Sequence, residues 1–186
     1  SEMCIRDRAK IKGDDTSRSS YALRTKRLAL SAILAAMAMI LSYIEALIQL
    51  PVPVPGIKLG LANLIVIIAI YKLGFKYAFI INCVRIITAG LLFTGLFGVI
   101  YSMAGGILSI LVMYLLYKCK IFGMVGISMA GGVAHNFGQL VTACIIMSNM
   151  RLMSYFAILL FSGMISGILI GIVAYLVSGK LPHLKI

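Results

Sequence analysis

Long apolar runs divided by short joints are the feature that most restricts how this 186-residue chain can fold. A helix that crosses a bilayer needs about 20 predominantly apolar residues, with a range of about 17–25. Runs of this kind cover Leu28–Ile48, Phe75–Phe93, Phe97–Tyr117, Ile121–Met147 and Met153–Val177, and a shorter one covers Leu59–Tyr71. The short run either continues from an irregular entry around Gly56–Lys58 or lies tilted or sunk among its neighbours. The turn-rich LPVPVPG, Leu50–Gly56, separates it from the first run, and the other joints are too short to hold a soluble domain. Hydrophobic residues make up 62% of the chain, against roughly 45–50% in soluble domains. The remaining residues could not cover a globule of this size in water. The expected fold is an all-α integral membrane protein with six transmembrane helices in one domain.

The cations are placed rather than clustered. With the N-terminus inside, the inner segments hold Arg24, Lys26, Arg27, Lys72, Lys76, Lys118, Lys120, Lys180 and Lys185, whereas the outer loops hold Lys58 and Arg151. An excess of Lys and Arg marks cytoplasmic loops, so both termini are expected in the cytoplasm. The formal net charge of +12 therefore reads as orientation in a membrane and not as a nucleic-acid footprint, which would gather cations on one face. The chain has no Trp, so Tyr43, Tyr71, Tyr77, Tyr114, Tyr117, Tyr155 and Tyr175, all near expected helix ends, supply the interfacial belt. The opening SEMCIRDR resembles a translated sequencing-adapter peptide, and Ser1–Tyr21 lacks the apolar core of a signal peptide. Residues 1–23 are expected to be a disordered or artefactual tail, 24–180 the membrane domain and 181–186 a short cytoplasmic tail.

Glu2, Asp7, Asp14 and Asp15 lie in the first fifteen residues, and from Thr16 onward Glu45 is the single carboxylate side chain. Metal chemistry built on several carboxylates is not expected in the body of the chain. Cys83, Cys119 and Cys144 show no metal-ligand or redox spacing. The sequence has no P-loop and no G-x-S-x-G, and no nucleophile–base pair stands out. No catalytic residue, metal or cofactor is assigned.

Polar groups at membrane depth are costly and usually face the bundle interior or a water-filled cavity. Asn82, Arg85 and Thr88 follow at three-residue steps in one run, and His135, Asn136, Gln139 and Thr142 fall in another. Glu45 closes the first run, and Lys58 and Asn63 open the second. Together they outline a polar pocket in which Arg85, Asn82, His135, Asn136 and Gln139, with Asn63 from the second run, hold a ligand, and Lys58 and Glu45 guard its outer mouth. Arg pairs bidentately with carboxylate or phosphate, so the ligand would carry an anionic end. The alternative is an internal Glu45–Arg85 ion pair that only fixes packing. Small-residue stripes permit close helix approach in lipid. One runs through Ala29, Ala32 and Ala36, and another through Gly163, Gly167 and Gly171. Read from spacing, each would pack inside the bundle.

RLALSAILAAMAMILSYIE, PGIKLGLANLIVIIAIYKLG, SMAGGILS and GGVAHNFGQL, with the Arg85 run between the second and third, resemble the bacterial membrane family known as Gx transporter or heptaprenyl diphosphate synthase component I. More broadly, the chain is similar to substrate-binding (S) components of energy-coupling factor transporters. The resemblance implies an S-component-like bundle in the bacterial inner membrane that takes up a small metabolite. Ala29, Ala32 and Ala36 would dock a transmembrane coupling subunit joined to cytoplasmic ATPases. The other label implies a membrane accessory of polyprenyl diphosphate synthesis. It cannot be the catalytic subunit by itself, because ionising an allylic diphosphate needs Mg²⁺ on clustered Asp. A solitary carrier coupled to protons through Glu45 or His135, and a purely structural protein, remain open.

Overall fold

A computed structural model describes residues 2–48 and 60–180, with side chains from Tyr21 onward. The described residues form no strand. The helices are α1 (Glu2–Leu47), α2 (Leu61–Lys72), α3 (Phe75–Ala89), α4 (Gly95–Cys119), α5 (Met124–Ile146) and α6 (Phe156–Lys180). A π-helical turn, Gly90–Thr94, joins α3 to α4, and a 3₁₀ turn, Met150–Tyr155, leads into α6. Among the described residues four continuous helical stretches are long and apolar enough to cross a membrane: Tyr21–Leu47, Phe75–Cys119, Met124–Ile146 and Met150–Lys180.

The stretch Phe75–Cys119 is not one rod. Its 45 residues would extend about 67 Å if straight, yet the Asn82 amide donates to the Gly106 carbonyl at 3.1 Å. The chain therefore reverses between them, and α4 runs back along α3. Gly95 allows the reversal, because its φ of 73° and ψ of −177° lie in a region essentially restricted to glycine.

Apolar residues surround α2 on every side, and a helix of that kind is a buried one. Ile65, Val66, Ile67, Ile68, Ala69 and Ile70 are at most 2% exposed and form the centre of the core with Leu34, Ala38, Ile81, Ile110, Met113 and Ile127. At 12 residues α2 is about 18 Å long, short of a hydrocarbon core of about 30 Å. It is the sunken element among longer neighbours.

Glycines set the spacing of α4, α5 and α6. A Cβ on Gly132 would stand 2.6 Å from the Gly163 carbonyl oxygen. One on Gly167 would stand 2.6 Å from the Met129 Cα, and one on Gly171 2.7 Å from the Val125 Cα. Gly138 meets Gly105 in the same way on the α4 side. The glycine stripe of α6 is thus consumed by internal packing. The alanine stripe of α1 is not: Leu34 and Ala38 are buried, whereas Ala29, Ala32 and Ala36 face outward.

Candidate functional site

Six elements meet around a cavity of about 130 Å³: the end of α1, the start of α2, the end of α3 with its π turn, the second turn of α4, and the middles of α5 and α6. Its polar lining is Ser42 and Glu45 from α1, Asn63 from α2, Arg85 from α3, Thr94, Ser102 from α4, His135 and Asn136 from α5, and Ser166 from α6. Tyr43 and Phe93 pack with ring centroids 5.5 Å apart, fastening α1 to the π turn beside the cavity.

Asn82 positions the cation. It is 1% exposed, its amide nitrogen is fixed by the Gly106 carbonyl, and its oxygen accepts from Arg85 Nη2 at 2.8 Å. Arg85 offers five N–H donors, and this bond takes one. Its Nε is buried with no hydrogen-bond partner in the protein, as is the Ser42 hydroxyl oxygen. Among the described residues no ion pair joins Arg85 to Glu45, so the internal pair considered from sequence does not form.

Glu45 has another task. Its Oε1 accepts from the Gly60 backbone N–H at 2.6 Å. Gly60 precedes α2 with φ 71°, and no side chain of its own caps the helix. A carboxylate at a helix N-terminus satisfies an orphan donor and is favoured by the helix dipole. Glu45→Ala is therefore expected to lower stability by about 1 kcal/mol, the usual cost of a lost cap. Glu45→Gln keeps a carbonyl acceptor and should lose less than half of that. Thermal denaturation of both variants in one detergent checks the ranking, and equal losses would disprove the capping role.

Beside the polar cavity lies a second of about 250 Å³, lined by Gly98, Tyr101, Gln139, Leu140, Ala143, Met147, Leu152, Tyr155 and Leu159. Ser102 and Asn136 line both cavities. The Asn136 amide donates to the Leu159 carbonyl at 2.9 Å, which ties α5 to α6 and holds this side chain at the boundary.

Of the residues singled out from sequence, Glu45, Asn63, Arg85, His135 and Asn136 come together in the polar cavity. Asn82 stands behind Arg85 and holds it. Gln139 is on α5 one turn beyond Asn136 and lines the apolar cavity instead. Thr88 and Thr142 bond back to the Val84 and Gly138 carbonyls of their own helices. Lys58 lies outside the described residues. Ser42, Thr94, Ser102 and Ser166 are additions. Ser42 sits one turn before Glu45 on the same face of α1, a spacing that could have identified it.

Among the described residues no three His, Cys, Asp or Glu side chains are grouped to hold a metal. Comparison with protein families matches residues 34–177 to heptaprenyl diphosphate synthase component I. No curated protein and no solved structure matches the chain.

Proposed function

The chain belongs to the heptaprenyl diphosphate synthase component I family, and from that premise we propose that it is a non-catalytic membrane protein that binds a small anionic or amphipathic metabolite for uptake. The observation that carries this reading is Arg85, a membrane-depth cation held by Asn82 at the wall of a cavity, with donors left over. A buried polar group without a partner costs about 1–3 kcal/mol, more when charged. A carboxylate or phosphate in the cavity would relieve that cost.

In this reading the chain crosses the bacterial cytoplasmic membrane six times with both termini inside. The antiparallel arms α3 and α4 and the alternation of cations support that count. The outward Ala29, Ala32 and Ala36 then receive a transmembrane coupling subunit with its ATPases, as in an S component. A thermal-stability screen of anionic metabolites against the wild-type protein and Arg85→Gln tests it. A carboxylate or phosphate that raises the melting temperature of the wild type but not of the variant is the expected result. A ligand that stabilises both equally would remove Arg85 from the site.

Family membership favours a second reading, a membrane accessory of polyprenyl diphosphate synthesis. Here the same cation would face a diphosphate, and a separate synthase subunit would supply the metal-binding carboxylates. Addition of the purified protein in vesicles to a soluble synthase partner should then change the amount or length of prenyl product. No change would leave the first reading alone.

A further inference from the structure

The two cavities share a wall and differ in chemistry. On the polar side stand Arg85, Glu45, His135 and Asn63; on the other stand Leu140, Ala143, Met147, Leu152 and Leu159.

 The second lining holds no charged residue, and Leu140 and Leu159 within it are buried. Along α5 His135 and Asn136 give way to Gln139, Leu140 and Ala143, with Met147 just past its end, so the helix carries one compartment into the next. Asn136 separates them, and its amide nitrogen is already committed to the Leu159 carbonyl.

Volumes limit what each compartment takes. An apolar protein cavity of about 150 Å³ stays dry and accepts benzene. The compartment of about 250 Å³ is larger than that, and the one of about 130 Å³ suits a single anionic group. Resting on the assignment of Arg85 to an anion site, we propose that the ligand is a short amphiphile. Its carboxylate or phosphate head pairs with Arg85, and its apolar tail of about six to ten carbons fills the compartment between Leu140 and Leu159.

The absence of Trp makes this testable, because Tyr155→Trp puts the only indole of the chain in the wall of the apolar compartment. In phosphatidylcholine nanodiscs, 6-bromohexanoate is expected to quench that indole saturably, and adding Arg85→Gln should weaken the quenching at least tenfold. Unbrominated alkanoates and alkyl phosphates should displace the probe, tightening roughly fourfold per methylene until the compartment is full. Ala143→Phe, which fills that space, should flatten the dependence on chain length while short anions still bind. Arg85-dependent binding with no quenching, or with affinity independent of chain length, would overturn the tail compartment and leave the anion site standing. If no carboxylate or phosphate probe bound in an Arg85-dependent way, the anion site would fall and the amphiphile with it.

Discussion

Arg85→Met is expected to weaken binding of an anionic ligand by about ten- to a hundredfold while changing the stability of the ligand-free bundle little. The first half follows from the strength of a hydrogen bond to a charged group, about 1.5–3 kcal/mol, since about 1.4 kcal/mol is a factor of ten. The second half follows from what Arg85 lacks. Its Nη2 bonds to Asn82, but its Nε is buried without a partner and Glu45 is engaged by Gly60. Methionine of similar length removes the cost of burying a charge that no carboxylate pairs, which offsets the Asn82 oxygen left without its donor. Asn82→Leu should behave differently. It strips the Gly106 carbonyl of its donor and Arg85 of its acceptor together, so it should cost stability as well as affinity. Paired measurements of melting temperature without ligand and of hexanoate binding separate the two. A marked loss of stability in Arg85→Met would mean that the cation is structural.

Gly167→Ala should destabilise the protein by about 1–3 kcal/mol, the usual cost of overpacking. The new Cβ would lie 2.6 Å from the Met129 Cα and 2.9 Å from the Ser128 carbonyl oxygen, both backbone atoms of α5. No side-chain rotation can relieve such contacts, so α6 must move away from α5. Because α5 and α6 both line the polar cavity, through Gly132, His135, Asn136 and Ser166, ligand affinity should fall as well. Gly179, on the same helix, has nothing within 4 Å of its would-be Cβ. Gly179→Ala should be neutral or slightly stabilising, since Ala is about 1 kcal/mol better than Gly in a helix interior. Thermal denaturation of the pair in one detergent tests the contrast. If Gly167→Ala proved no less stable than Gly179→Ala, the close approach of α5 and α6 would be wrong.

Several parts of the candidate site were legible in the sequence because the bilayer makes polar residues conspicuous. Arg85, His135 and Glu45 stand out in apolar runs, and all three line one cavity. Their division of labour was not legible. The sequence leaves Glu45 either at the pocket mouth or paired with Arg85; in the structure it lines the cavity while the Gly60 N–H at the start of α2 takes its oxygen. Gln139 and His135 are four residues apart and were expected in one pocket, but Gln139 lines the neighbouring cavity. The two glycine-or-alanine stripes looked alike in sequence, yet α6 spends its stripe on α5 while α1 leaves its own outward.

By itself the sequence determined the helical, membrane-embedded class, the approximate bounds of most helices and the scarcity of acids in the body. Those properties depend on hydropathy summed over a window of about 20 residues and on the obligation of buried backbone to bond within its own segment. The tertiary structure decided which of the two placements left open for α2 holds, the carboxylate cap on Gly60, the outward face of the α1 stripe and the apolar compartment beside Asn136. Each of these depends on how far a helix is rotated and which neighbour it meets. That is set by the fit of glycine against backbone and isoleucine against isoleucine across elements far apart in the chain, which no local window contains.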